Sequence, residues 1–319
     1  MYQKNYEELV KVVEEKAVII PVSEHRKPDG TMNIERNLQT WNRVVERFEI
    51  TPLWPKGKTP NYDDRDPNQI EPNFIFVPGK GLTEKKGTIL VSCGGGFEIR
   101  TGCEGFHVAE WFSTHGFNTA ILTYRIKPYS RQDALDDIQR AIRTLRYKKD
   151  EFGITDTVVC MGFSAGGMLS GNAATLFDEG HKDDPDPVER ESSRPDGAVL
   201  GYGAFTFAAM TGFFMDPFSD MVRNPFFANK EELIRFSPEV NITRKTPPFF
   251  IWQTNSDDPR HSFAFGQALT AMGVPFEMHL FPEGVHGLAM ADGNNDLGMD
   301  IPSVRQWAPL CANWLQKII

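Results

Sequence analysis

The hydrophobic pattern changes character along the chain. Between residues 5 and 15, Tyr6, Leu9, Val10 and Val13 share one face at helical spacing, and Asn5 with Glu8 is spaced like a capping box. A second stripe over residues 33–48, formed by Ile34, Leu38, Trp41, Val45 and Phe48, advances in steps of four and three between charged residues. Two amphipathic helices are expected. Each must bury its stripe against the flank of the main body, against a second copy of the chain, or at the rim of a site. From Thr51 to Asn73, Pro, Gly, Asn and Asp predict an irregular surface crossing. Phe74 to Val77 then reads as a short strand, and residues 80–87 as a hairpin turn into a second strand, 88–93.

Beyond that point strand and helix patterns alternate. Strands are expected at 117–124, 157–162, 197–202, 248–254 and 275–281, and helices at 104–115, 131–151, 165–177, 261–272 and 303–317. The helix after Arg131 is the clearest, with Ala134, Leu135, Ile138, Ala141, Ile142 and Leu145 as its apolar stripe. Such alternation predicts an α/β fold, a mostly parallel sheet covered by helices on both faces. Residues 1–50 then form an N-terminal helical extension, and 51–319 the main domain. One stretch interrupts the alternation. Residues 204–247 hold Phe205, Phe207, Phe213, Phe214, Phe218, Phe226 and Phe227 with Met210, Met215 and Met221, too much chain for a plain connection. A cap-like insertion is expected there, its phenylalanines either lining a pocket or forming a small core of their own.

Composition narrows the partners. A chain of 319 residues can bury one large core, and a net charge of -9 argues against nucleic acid, which needs a basic face. The N-terminus lacks the apolar core of a signal peptide, and no apolar run is long enough to span a membrane. Four scattered cysteines, Cys93, Cys103, Cys160 and Cys311, suggest neither a disulfide framework nor a zinc site. A reduced, cytoplasmic protein is the simplest expectation.

The chemistry centres on Gly162-Phe-Ser164-Ala-Gly166. This G-x-S-x-G run stands between an apolar strand and a run of small, helix-compatible residues, the order that a nucleophile elbow requires. Ser164 is the candidate nucleophile; Gly162 and Gly166 remove Cβ atoms that would collide as strand and helix close around it. A serine needs a base, and the base an orienting acid. His181 lies in a charged, solvated loop, His279 alternates within a strand, and His261 reads as a surface or cap residue. His286, in a glycine-flanked loop after the last strand, is the candidate general base. The acid belongs in the turn after 248–254, where Asp257 and Asp258 compete; spacing favours Asp257, leaving the other as a turn or capping residue. Oxyanion donors, worth about 3–4 kcal/mol each, come from the backbone of Cys93-Gly94-Gly95-Gly96-Phe97 and from the N–H of Ala165. The glycine run matches neither phosphate-binding pattern, and Cys93 reads as a buried strand-end residue.

Several motifs together resemble one family. Cys93 to Phe97, Glu104-Gly-Phe-His-Val-Ala-Glu-Trp-Phe112, Leu122-Thr-Tyr-Arg125, Asp137 to Arg143, Gly162 to Gly167, Thr246 to Trp252 and Gly284 to Leu288 follow in the order seen in bacterial α/β-hydrolase esterases related to acetyl-xylan esterases and other carbohydrate acetylesterases. Thr51 to Pro55 is similar to that family's opening strand. The resemblance covers about residues 50–317 and implies Ser164, Asp257 and His286 as a triad, with Gly95, Gly96 and Ala165 as oxyanion donors. It also implies a small acyl group such as acetyl.

The expected activity is serine carboxylesterase chemistry through an acyl-enzyme, acting on a small-molecule ester without metal or organic cofactor. Aryl or longer apolar esters, a peptidase-type amide hydrolase and a non-catalytic hydrolase-fold binding protein are the alternatives. A homo-oligomer is compatible with the two N-terminal stripes.

Overall fold

The computed structural model describes residues 2–62, 68–203, 205–206, 227 and 229–319. Eight strands form one sheet: β1 (Thr51–Pro52), β2 (Asn73–Val77), β3 (Thr88–Ser92), β4 (Asn118–Thr123), β5 (Val158–Phe163), β6 (Gly197–Gly201), β7 (Phe249–Thr254) and β8 (Phe276–Phe281). Their spatial order is β1-β2-β4-β3-β5-β6-β7-β8. β2 runs antiparallel to both neighbours, and the other pairs are parallel. Strands β2 to β7 are buried along their whole length, which is why they read as continuous apolar runs, whereas β8 at the edge is largely half-buried.

The expected hairpin over 74–93 does not form. β2 pairs with β4, Phe74 opposite Leu122, and β4 lies between β2 and β3. β4 is apolar and buried, so it needs ladder partners on both edges, and a short connection from β2 to β3 does not oblige those two strands to pair.

Among the described residues, the helices are α1 (Gln3–Glu14), α2 (Ile34–Val45), α3 (Val108–Thr114), α4 (Arg131–Tyr147), α5 (Lys149–Phe152), α6 (Ala165–Thr175), α7 (Lys230–Arg235), α8 (Arg260–Met272), α9 (Pro302–Arg305) and α10 (Trp307–Leu315). None is long and apolar enough to cross a membrane. Three expected helices are interrupted. A π-helical turn, Cys103–His107, precedes α3; the 131–151 pattern breaks at Lys148; the C-terminal pattern divides between α9 and α10. α4 starts on a complete capping box, Ser130 with Asp133. The motif residues Arg125 and Asp137 are structural: Arg125 Nη2 donates to Asp137 Oδ1 at 2.8 Å, and this buried pair ties the end of β4 to α4.

Asn5 does not cap α1. It is buried in the helix's inner face, where its Nδ2 donates to the carbonyls of Glu49 and Phe76 and its Oδ1 accepts from the Glu49 N–H. The stripe includes Leu9 and Val12 as its most buried residues. In α2, Leu38, Trp41, Val44 and Val45 are buried, and the Trp41 Nε1–H donates to Thr123 Oγ1 of β4 at 3.1 Å. Both stripes enter the main core cluster rather than facing solvent. The phenylalanine-rich part of the expected insertion, residues 207–226, lies outside the described residues. The part that follows is attached to the sheet domain through the Asn172 Nδ2–H, which donates to the Phe236 carbonyl at 3.0 Å.

Trp41→Ala removes a fully buried indole and its hydrogen bond, and should lower the unfolding free energy by about 3–5 kcal/mol. Chemical denaturation measures this, and an unchanged midpoint would contradict the shared core.

Candidate active site

β5 ends at Phe163 and α6 begins at Ala165, so Ser164 alone makes the turn. It does so at φ 51° and ψ −121°, a conformation costly for any residue with a Cβ. The turn persists because its surroundings over-determine it. The Ser164 N–H donates to the Gly201 carbonyl at 3.0 Å, and its carbonyl accepts from the Met168 N–H at 3.1 Å. A Cβ at Gly162 would overlap the Gly166 carbonyl, and one at Gly166 would overlap the Ser92 carbonyl of β3. The motif glycines thus let three backbone segments meet beneath the serine.

The acid and histidine loops leave the C-terminal ends of β7 and β8, next to this turn. His286 Nε2 lies 2.8 Å from Ser164 Oγ, and His286 Nδ1 lies 2.8 Å from Asp257 Oδ2. With Nδ1–H donating to the carboxylate, Nε2 is left to accept from the serine hydroxyl. Asp258 points elsewhere: it accepts from the Arg260 backbone N–H and pairs with the Arg260 guanidinium at 2.6 Å, fixing the start of α8. The loops are braced against each other. Ser256 Oγ donates to the Gly284 carbonyl, and Gln253 Nε2 donates to the carbonyls of Asp257 and Asp258. Ser262 Oγ in turn holds Gln253 Oε1. The protein around the imidazole disfavours its charged form, but the bond to Asp257, its charge and that of Glu104 outweigh this and raise the His286 pKa above the ordinary histidine value.

The glycine loop after β3 takes up positive φ at Gly95 (114°) and Gly96 (63°). It is closed by the Gly95 carbonyl, which accepts from the N–H groups of Glu98 and Ile99, and by the Gly94 carbonyl, which accepts from Thr101. Among the described residues, no partner accepts from the N–H groups of Gly95 and Gly96. Ala165 opens α6, so its N–H has no intrahelical acceptor. A Cβ at Gly94 would sit 2.8 Å from Ser164 Cβ, so the loop passes directly beside the serine. The Cys93 thiol is buried and pushed up to about 12 by desolvation, which removes it as a thiolate.

Two expectations need revision or addition. His261 is neither a surface nor a capping residue: it is 5% exposed, its Nδ1 lies 3.0 Å from Thr206 Oγ1, and burial lowers its pKa to about 4. His181 is exposed in its loop, and His279 bonds Glu277 on the edge strand. Glu104 and Tyr202, unassigned from sequence, are both buried; Glu104 bonds the glycine loop and Tyr202 the histidine loop. Glu104 was visible inside a motif, but an isolated acid in an apolar run gives no sign of what it faces. Among the described residues, no group of His, Cys, Asp and Glu side chains could hold a metal ion.

The sheet order and the serine turn at the end of β5 define an α/β-hydrolase fold. Residues 75–265, over half of the chain, match the family model described as BD-FAE, and the chain belongs to that family. It is 36% identical over 219 residues to an endo-1,4-beta-xylanase B of Butyrivibrio fibrisolvens, a match covering 65% of this chain and 33% of that protein. It is 30% identical over 158 residues to a probable carboxylic ester hydrolase, LipM, of Mycobacterium tuberculosis, covering 47% of this chain and 35% of that one. The chain therefore spans about a third of the length of these curated relatives. The crystal structure of an acetyl ester-xyloside bifunctional hydrolase from Caldicellulosiruptor lactoaceticus aligns at a TM-score of 0.75 and 32% identity, covering 85% of this chain and 96% of that one.

Gly166→Ala should destabilise the fold by about 3 kcal/mol or more, because the added methyl meets backbone on β3 and not a movable side chain. A thermal midpoint equal to that of the parent would show that the elbow can relax.

Proposed function

We propose that the chain is a serine carboxylesterase that works through an acyl-enzyme, with Ser164 as nucleophile, His286 as general base and acid, and Asp257 as the group that orients it. The observation that carries this reading is the unbroken hydrogen-bonded line from Ser164 Oγ through His286 to Asp257, with both spacings at 2.8 Å. Ser164 Oγ attacks the ester carbonyl as His286 Nε2 takes its proton. The carbonyl oxygen becomes an oxyanion facing the N–H groups of Gly95, Gly96 and Ala165, which are fixed before the reaction starts. Collapse of the tetrahedral intermediate expels the alcohol, which receives its proton from His286. Water then attacks the acyl-serine with the same imidazole as base, and Ser164 is regenerated. Asp257 remains ionised and stabilises the imidazolium.

The substrate reading is an ester with a small acyl group, acetyl first, on a carbohydrate alcohol. It is supported by the relatives whose names include a xylanase and an acetyl ester-xyloside hydrolase.

On a chromogenic acetate, Ser164→Ala should lower kcat by about 10⁴-fold or more. Retained turnover would remove Ser164 from the mechanism. The pH profile gives an independent check. Only the neutral imidazole accepts the serine proton, and its pKa is raised, so kcat/KM should climb with pH through a midpoint above the unperturbed value of about 6.5. A flat profile from about pH 5 to 8 would count against His286. Across chromogenic esters from acetyl to octanoyl, kcat/KM should fall as the acyl chain lengthens; a maximum at the longer esters would replace the acetyl assignment.

A further inference from the structure

Beneath the glycine loop lies a buried carboxylate that the triad does not use. Glu104 stands in the π-helical turn Cys103–His107 and is 1% exposed. Its Oε2 accepts from the Gly94 N–H at 2.7 Å, and its Oε1 accepts from the Tyr202 hydroxyl at 2.8 Å. The Tyr202 oxygen accepts in turn from the Ala289 N–H at 2.9 Å, three residues beyond His286. Tyr202 follows β6 at φ 35°, and its ring meets the His286 ring edge-on at a centroid distance of 5.2 Å. Two side chains, Glu104 and Tyr202, therefore join the loop that carries the oxyanion donors to the loop that carries the base.

We propose that Glu104 is a positioning residue for the ester hydrolysis, holding the glycine loop and, through Tyr202, the His286 loop in their reactive geometry, and lying as an anion near the imidazolium that forms during the reaction. This rests on the triad reading above. The hydrogen-bond directions support the anion. The Tyr202 hydroxyl accepts from the Ala289 N–H and is placed to donate to Glu104 Oε1. The Gly94 N–H can only donate. A protonated Glu104 would keep its bond to Tyr202 only by reversing that hydroxyl, whose own proton would then point away from the carboxyl. Burial, with the Asp296 charge, outweighs the Tyr202 bond, the His286 charge and the Gly94 N–H, so the Glu104 pKa lies above the ordinary carboxylate value, and the two donors at its oxygens are what favour the ionised form. The ionisable groups that sense Glu104 are Tyr202, His286 and Asp296, with Cys93, Cys103, Tyr124 and His25. Those that sense His286 are Asp257 and Glu104.

The test is Glu104→Gln, which keeps the shape and removes the charge, assayed on a chromogenic acetate with Ser164→Ala beside it. The kcat is expected to fall by about 10–100-fold with KM little changed, as for a misplaced reacting group. The acid limb of kcat/KM should move to lower pH, because the anion that favours the imidazolium is gone. A residue that only supports folding would slow the enzyme and leave that limb in place. Glu104→Asp keeps the charge, and its acid limb should stay with the parent's. If Glu104→Gln does not fold, Tyr202→Phe decides, since it deletes one oxygen and keeps the ring: a parent-like kcat overturns the proposal. A parent-like kcat or an unmoved acid limb in folded Glu104→Gln overturns it too. If Ser164→Ala stays active, the triad reading falls; if Ser164→Ala is dead and Glu104→Gln matches the parent, only the Glu104 assignment falls.

Discussion

Everything at the catalytic edge depends on how closely three backbone segments approach beneath Ser164. β3, the turn after β5 and the first turn of α6 meet where Gly162 and Gly166 stand, and any side chain there would overlap a carbonyl oxygen. That close approach forces the serine into positive φ and places its hydroxyl above the sheet. It also brings the Gly94–Gly96 loop alongside, since that loop is the direct continuation of β3. The strain is local and the restraint is global. The sheet and α6 hold the turn through buried backbone bonds that no single loop could supply.

The parallel order of β3, β5, β6, β7 and β8 accounts for the rest. Parallel strands deliver their C-terminal ends to one edge, so the glycine loop, the serine, Tyr202, the acid loop and the histidine loop all emerge together. Besides its internal bonds, each loop is fixed by a bond to a neighbouring element: Ser256 to Gly284, Gln253 to the acid turn, Tyr202 to Ala289, Glu104 to Gly94. The N-terminal helices contribute at one remove. Trp41 and Asn5 anchor them on β4 and β2, burying a flank of the sheet that would otherwise face solvent.

Features with a local cause were legible in the sequence. The alternation of strand and helix, the elbow and the glycine run rest on short-range sterics and periodicity, and the mostly parallel sheet was predictable from them. The hairpin over 74–93 was misread because the insertion of β4 between β2 and β3 is a long-range choice that leaves no mark on the turn itself. Asn5 looked like a cap because its spacing to Glu8 fits one, but the tertiary bonds to Glu49 and Phe76 outcompeted that local role. His261 read as surface from its polar neighbours, while Thr206, far away in sequence, gives it a buried partner. Glu104 is the extreme case, because its partners Gly94 and Tyr202 follow two different strands, β3 and β6.

On the proposed mechanism, an ionised Glu104 beside the oxyanion donors would oppose the negative charge of the tetrahedral intermediate. The geometry separates the two effects. Glu104 directs its Oε2 to the Gly94 N–H and so fixes the peptide preceding Gly95 and Gly96, the proposed donors. Its Oε1 faces Tyr202, whose ring packs edge-on against the imidazole. On the proposed mechanism the Glu104 charge favours the imidazolium, while its bond to Gly94 holds the loop that carries the donors.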